Sequence, residues 1–269
     1  MDPQAPDATP AVADDETVLV EQRGNVLVIR LNRPAARNAV NGPVAAGIEA
    51  GIDRLESEES LWVGVLTGTR EFFSAGADLK LISAGKGAEM STSRGGFAGI
   101  VVRDRVKPLI AAVEGPALAG GLEIALSCDM VVASRQSRFG IPEVRRSLLA
   151  AAGGVFRLGQ VLPRNVAFEM GLTGDPIDAE RAYGLGLVNA LSEPGQALEG
   201  ALELAGRICA NAPIAVQRTR ELMVELRGAD DGAGMRRSGE ALVGLFTTED
   251  FSEGLNAFIE KRPPQWKGR

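Results

Sequence analysis

Residues 116–131 read PALAGGLEIALSCDMV, an apolar run of small residues in which a Gly-Gly pair precedes one glutamate, Glu123. The glycines permit a tight turn at the start of a helix, and the apolar residues after them predict that this helix is buried. A buried carboxylate is costly unless it is paired or takes part in proton transfer. Glu123 is therefore either a first-turn acid that stabilises the helix dipole or a catalytic group, and this stretch leaves both interpretations open.

Strands and helices alternate on both sides of this stretch. An N-terminal hairpin is predicted over residues 17–31, with its turn at Arg23-Gly24. Three apolar runs predict strands buried on both faces, at 62–68, 108–115 and 129–134. Helices are predicted at about 42–57 (capped by Asn38 or Asn41), 78–84, just before Pro108, from Gly120, and at about 155–161, 164–171 and 178–184. The alternation predicts an α/β fold with largely parallel strands.

The chain divides into three parts by composition. Residues 1–16 are acidic, rich in Pro and Ala, and lack the basic start and apolar run of a signal peptide, which predicts a disordered tail. Residues 17–195 are predicted to form the α/β core. Residues 196–269 have an entirely helical pattern, and we expect them to cover one face of the core or to make subunit contacts.

The charge and length of the chain limit the classes of partner that it can bind. The 269-residue chain is 45% hydrophobic and 24% charged, which is typical of a globular protein. Its net charge of -6 argues against nucleic acid or an anionic membrane as a partner. No apolar run approaches the roughly 18 residues of a membrane span. The sequence therefore predicts a cytoplasmic protein.

The absence of histidine narrows the chemistry most. The chain has no histidine and two cysteines, Cys128 and Cys209, that lie far apart. These counts exclude Ser-His-Asp and Cys-His nucleophiles and His-ligated metals, and they predict neither a zinc site nor a disulfide framework. We expect no metal. Acid–base work near neutral pH is left mainly to Asp, Glu, Lys, Tyr or water.

Three strand-to-helix junctions are rich in small residues: FFSAGADLK (72–80), VEGPALAGGLE (113–123) and SRFGIPEVR (137–145). Ligands of open α/β sheets bind at the carboxyl ends of strands, where such junctions lie. Exposed N–H groups at glycine turns can stabilise a developing oxyanion, and two junctions can supply one donor each. Glu123 and Glu143 each follow such a loop. They are either ordinary first-turn acids or an acid–base pair, and spacing alone does not decide.

In the order in which they occur, these three segments closely resemble the crotonase superfamily of enoyl-CoA hydratases and isomerases. The segments LTGDPIDAERAYGLGLVN (172–189) and FTTEDFSEGLNAFIEKRPPQWKGR (246–269) are similar to the same family. The resemblance covers residues 17–269. It implies a spiral of ββα units followed by a helical trimerisation region, assembled as a homotrimer or a dimer of trimers, and it implies an acyl-CoA thioester as substrate.

The resemblance also implies roles for particular residues. Ala77 and Gly120 correspond to the two oxyanion-hole donors, and the family's pair of hydratase glutamates corresponds to Glu123 and Glu143. The implied CoA- and substrate-binding residues are Ala75, Gly76, Asp78, Leu79, Lys80 and Gly121. The implied reaction is hydration of a 2-enoyl-CoA, with no cofactor other than the CoA that the substrate carries. Glu123 would activate the water and Glu143 would deliver a proton to the α-carbon.

Two alternatives remain, and one segment departs from the family pattern. The chain could be a Δ3-Δ2 enoyl-CoA isomerase, which needs one proton shuttle and no water, or a non-catalytic acyl-CoA-binding homologue.

After Glu143 the chain reads VRRSLLAAAGG (144–154), without the proline typical of hydratases. This change leaves the acyl group open. Arg145 and Arg146 are either solvated or bind a polar acyl group or a CoA phosphate.

Overall fold

The computed structural model describes residues 16–269. The predicted tail over 1–16 therefore lies outside the described residues, apart from Glu16. Within the described range there are eleven strands: β1 (Val18–Arg23), β2 (Val26–Leu31), β3 (Val63–Thr67), β4 (Ser91–Thr92), β5 (Gly96–Phe97), β6 (Leu109–Val113), β7 (Pro116–Leu118), β8 (Met130–Ser134), β9 (Arg138–Gly140), β10 (Ile177–Asp178) and β11 (Ala190–Ser192).

The largest sheet has six strands in the order β1-β2-β3-β6-β8-β11. β1 and β2 form the predicted antiparallel hairpin, and every other neighbouring pair in this sheet is parallel. All residues of β3 and β6 are buried, as a strand covered on both faces requires. The predictions of an α/β core and of largely parallel pairing are confirmed.

Ten α-helices occur among the described residues: α1 (Gly42–Ser57), α2 (Leu79–Ser83), α3 (Gly120–Ala125), α4 (Gly154–Val161), α5 (Arg164–Thr173), α6 (Ala179–Gly184), α7 (Ala197–Cys209), α8 (Pro213–Glu225), α9 (Asp231–Leu245) and α10 (Glu249–Glu260). Asn41 caps α1, because its side chain accepts a hydrogen bond from Val44 N at 3.0 Å. None of these helices is both long and apolar enough to cross a membrane.

Helices cover both faces of the large sheet. One face contributes Leu27 and Ile29 of β2, which pack with α1 residues such as Ile48 in a large apolar cluster. The other face packs on α7, whose Ala201 and Ala205 lie in a second apolar cluster with residues of the central strands. The division into 17–195 and 196–269 stays a prediction.

The helix predicted just before Pro108 is wrong. Residues 98–102 form turns and residues 103–105 have no regular structure. Ala98 and Gly99 both have left-handed φ angles, 56° and 68°, which interrupt helical hydrogen bonding. A Cβ on Gly99 would lie 2.2 Å from the Ala45 carbonyl oxygen, so close packing of this turn against α1 takes the place of a helix.

A smaller sheet extends the fold beside the large one. It has the order β10-β9-β7, in which β7 and β9 are parallel and β9 and β10 are antiparallel. β7 leads into α3, and β9 leads into a 3-10 helix at Pro142–Arg146. This sheet therefore sets the second and third glycine-rich junctions next to each other.

Candidate active site

Backbone hydrogen bonds tie the three small-residue junctions together. The first junction bridges to the second, because Leu118 N donates to Ser74 O at 3.0 Å. The second is tied to the third, because Ala119 N donates to Gly140 O at 2.9 Å. Loops separated by up to sixty-odd positions in the sequence thus share one edge of the fold, as the rule for carboxyl ends of parallel strands predicts.

The amide groups of Ala77 and Gly120 lie on facing loops. A Cβ on Gly76, the residue before Ala77, would lie 2.5 Å from Gly120 N, so the two loops are in direct contact. Neither Ala77 N nor Gly120 N donates a hydrogen bond to any residue in the range 16–269. Gly120 is the first residue of α3, where an N–H group has no partner within the helix. Both N–H groups are therefore without a partner among the described residues, on two loops that are in contact.

Close packing explains the glycine pair at 120–121. A Cβ on Gly121 would lie 2.1 Å from Ser74 O, and one on Gly120 would lie 2.6 Å from two ring carbons of Phe97. The preceding Ala119 has a φ of 53°, an uncommon left-handed conformation for a residue with a side chain. The turn before α3 is thus held in one conformation by its neighbours, and Phe97 covers it.

The other residues predicted to bind CoA follow one another in the first junction. Ala75 N donates to Arg37 O at 2.9 Å, and Gly76 has a left-handed φ of 86°. Asp78 caps α2 by accepting from Lys80 N at 3.1 Å, and it pairs with Arg33 at 3.0 Å. Leu79 and Lys80 are exposed. Asp78 therefore has a structural role that is independent of any ligand.

Glu123 is buried in the first turn of α3, with only 4% of its surface exposed. Its Oε1 accepts a hydrogen bond from Gly154 N at 2.9 Å, at the start of α4. Burial raises the pKa of Glu123 to about 7; the Gly154 N–H opposes this rise, and the negative charge of Glu143 adds to it. A carboxyl group with a pKa near neutrality can both accept and release a proton.

Glu143 lies in the 3-10 helix that follows β9 and is half-buried. Burial raises the pKa of this carboxyl group as well, and the charge of Arg146 opposes the rise. Its Oε2 is buried without a hydrogen-bond partner among the described residues. Since Glu123 and Glu143 interact electrostatically, the structure brings together the two carboxylates that the sequence singles out.

The same residue types are not arranged for metal binding. Within residues 16–269, no group of three or more His, Cys, Asp or Glu side chains is placed to hold a metal ion. Asp129 instead accepts a hydrogen bond from Leu109 N at 2.8 Å and pairs with Arg105 and Arg220. It joins the starts of β6 and β8.

Comparison with known proteins identifies the family. The family model described as enoyl-CoA hydratase/isomerase matches residues 21–269. The chain belongs to this family. It is 36% identical to the 2,3-dehydroadipyl-CoA hydratase of Escherichia coli (strain K12) over 94% of this chain and 99% of that one. It is 39% identical to the mevalonyl-coenzyme A hydratase sidH of Aspergillus fumigatus, over 90% of this chain and 92% of that one.

Solved structures of the enoyl-CoA hydratase/isomerase family share the fold. An enoyl-CoA hydratase from Mycobacterium tuberculosis H37Rv superimposes with a TM-score of 0.91 and is 47% identical, with 95% of this chain and all of that chain covered. The crotonase-like α/β fold that the motifs predict is thereby confirmed. The relatives named above are hydratases of CoA thioesters.

One residue near the glutamates has no signal in the sequence. Arg157 of α4 donates to Ser127 Oγ at 2.8 Å, and Ser127 Oγ in turn donates to the Glu123 carbonyl at 2.8 Å. The Arg157 side chain also packs over Gly153, where a Cβ would lie 2.6 Å from Nη1. Arg157 thus braces α3 against the loop that supplies the Gly154 N–H to Glu123.

The raised pKa of Glu123 predicts a pH dependence. If Glu123 must be ionised to take a proton from water, kcat/KM falls as the pH drops through about 7, because the protonated carboxyl cannot act as a base. An unperturbed carboxyl would place the same loss near its ordinary pKa of about 4.3. A pH–rate profile on a 2-enoyl-CoA measures the midpoint. A flat profile from pH 5 to 8 would contradict this assignment.

Proposed function

We propose that the protein catalyses the reversible hydration of 2-enoyl-CoA thioesters to 3-hydroxyacyl-CoA. The observation that carries this proposal is the pair of interacting glutamates, Glu123 and Glu143, each with a raised pKa, next to the free N–H groups of Ala77 and Gly120. A hydro-lyase needs two proton-transfer groups and an oxyanion site, whereas an isomerase needs only one proton shuttle. The hydratase relatives support the same reaction class.

In the proposed mechanism the thioester carbonyl accepts hydrogen bonds from Ala77 N and Gly120 N. Ionised Glu123 takes a proton from water as the water oxygen bonds to the β-carbon, and the electrons of the double bond move onto the carbonyl oxygen as an enolate. The enolate collapses and the α-carbon takes a proton from Glu143; Glu123 then releases its proton to solvent and Glu143 takes one up, which restores the starting state. Reversal of these steps gives dehydration, so the two carboxyl groups exchange acid and base roles with direction.

Product analysis tests this proposal. Purified protein is incubated with short, long and branched 2-enoyl-CoAs and with a 3-enoyl-CoA, and the products are followed by mass spectrometry. Gain of one water on a 2-enoyl-CoA is the expected result. A shifted double bond without added water would identify an isomerase. Tight binding with no change in any substrate would identify an acyl-CoA-binding homologue.

The proposal extends to assembly and surroundings. Large apolar side chains are exposed on α10, including Leu255, Phe258 and Ile259, the last two at 83% and 75%. We propose that this helical region joins the subunits of a trimer or a dimer of trimers, which a native mass of three or six times 28.2 kDa would support.

The reaction is proposed to occur in the cytoplasm, which cell fractionation tests. It is also proposed to need no cofactor beyond the CoA of the substrate, which activity after exhaustive dialysis tests.

A further inference from the structure

Two adjacent arginines follow Val144, and only Arg145 has side-chain partners among the described residues. Arg145 forms an ion pair with Asp175, and its Nε donates to Thr173 O at 3.2 Å. It also packs over Gly174, where a Cβ would lie 3.0 Å from Nε. Arg145 therefore fastens the 3-10 helix to the end of α5, and its charge is already balanced by a carboxylate.

Arg146 forms no ion pair and no side-chain hydrogen bond with any residue in the described part of the chain. It lies in the same 3-10 helix as Glu143, three positions later. Side chains at i and i+3 eclipse in a 3-10 helix, with about 6 Å between them along the axis. Arg146 thus shares a face with Glu143, while Arg145 lies on another, and its charge acts on the Glu143 carboxyl.

The chemistry of the substrate places its acyl chain on the side of the site that carries Glu143 and Arg146. With the carbonyl oxygen at Ala77 and Gly120, the β-carbon must approach Glu123 and Glu143. The acyl chain beyond the β-carbon then passes Glu143, whereas CoA leaves the carbonyl carbon in another direction. The exposed apolar side chains of Leu148 and Leu149 follow Arg146 and can line such a tail.

From these placements we propose that Arg146 selects 2-enoyl-CoAs whose acyl chain ends in a carboxylate. This inference rests on the proposed hydratase function. A guanidinium binds a carboxylate through two parallel hydrogen bonds, a geometry that a methyl-terminated chain cannot use. Arg146 would then be a specificity-determining residue, outside the proton-transfer steps, that orients the far end of the substrate.

The test compares two classes of substrate on the wild-type protein and three variants. Six- and eight-carbon 2-enoyl-CoAs ending in a carboxylate are matched with methyl-terminated ones of equal length. Wild-type protein, Arg146→Gln, Arg146→Lys and the control Arg145→Gln are assayed for kcat/KM on each. We expect Arg146→Gln to lower kcat/KM by about tenfold or more on the carboxylate substrates, with methyl-terminated substrates changed less than about twofold. Arg146→Lys should recover part of the loss, and Arg145→Gln should leave the preference unchanged.

The outcomes separate this inference from the function on which it rests. The wild-type protein could hydrate both classes of substrate equally well, and Arg146→Gln could leave both rates unchanged. That result would overturn the inference and leave the proposed hydratase function intact. An equal loss on all substrates would overturn it in favour of a contact with a CoA phosphate. Absence of hydration on every substrate by the wild-type protein would instead refute the proposed function.

Discussion

Replacement of Glu123 by Gln is expected to lower kcat for hydration by about 10²–10⁴, the range that one acid–base group contributes. The amide keeps the shape of the side chain, and its oxygen can still accept the hydrogen bond from Gly154 N. It cannot take a proton from water. Steady-state rates on the best 2-enoyl-CoA measure the loss, and the KM should change much less than kcat because the substrate still binds.

Protein stability provides the control for this variant. The pKa of Glu123 is raised in the folded state, so folding is favoured when this carboxyl is protonated. Its contribution becomes unfavourable as the pH rises above the unfolded-state pKa, and the full cost is reached above about pH 7. Glu123→Gln is therefore expected to stabilise the protein by about 1–3 kcal/mol at pH 8, with little effect at pH 4.

A folded, more stable and inactive Glu123→Gln protein would establish a catalytic role. Glu143→Gln is the matched variant, and a large loss of kcat is expected there too. If both variants kept near wild-type turnover, the two glutamates would be first-turn acids and the proposed mechanism would be wrong. Loss of activity together with loss of stability would point to a structural role for Glu123.

The elements that the sequence predicts well are those decided by local pattern. The short apolar runs of β3, β6 and β8 are typical of buried strands, and Asn41 is a favourable cap immediately before α1. The failure before Pro108 has a different origin. There the backbone follows a close contact between Gly99 and Ala45 of α1, which are distant in sequence. Such a contact leaves no periodic signal.

The candidate site, like the fold, has parts that the sequence predicts and parts that it does not. The donor roles of Ala77 and Gly120 are implied by the family resemblance and stay predictions. The meeting of the glycine-rich junctions that precede Glu123 and Glu143 could be anticipated, because ligands of such sheets bind at the carboxyl ends of strands. The contact of Phe97 with Gly120 and the brace from Arg157 to Ser127 could not, because each joins side chains from separate elements. The Gly-Gly pair at 153–154, which supplies the N–H to Glu123, has a usable signal in the sequence, since it stands at the start of a helix as the pair at 120–121 does.

Substitution of Gly120 by Ala is expected to lower kcat by about 10²–10³, the cost of losing one oxyanion-hole donor. The new Cβ would lie 2.6 Å from ring carbons of Phe97 and 3.3 Å from Gly76 Cα. Either the ring or the start of α3 must move, and a movement of α3 carries the N–H of residue 120 away from the carbonyl oxygen. The prediction is measured as kcat on the best substrate, with thermal unfolding as a check on folding.

Two further variants separate the loss of the donor from other effects. Gly159→Ala introduces the same methyl group into α4, where no atom other than the local backbone lies within 4 Å of the new Cβ, and should leave kcat unchanged. Adding Phe97→Leu to Gly120→Ala removes the ring that the methyl group meets, so α3 can return and part of the lost activity should be recovered. If Gly120→Ala alone retained the wild-type kcat, the N–H of Gly120 would not stabilise the enolate. The oxyanion site would then have to be sought among other backbone groups of these junctions.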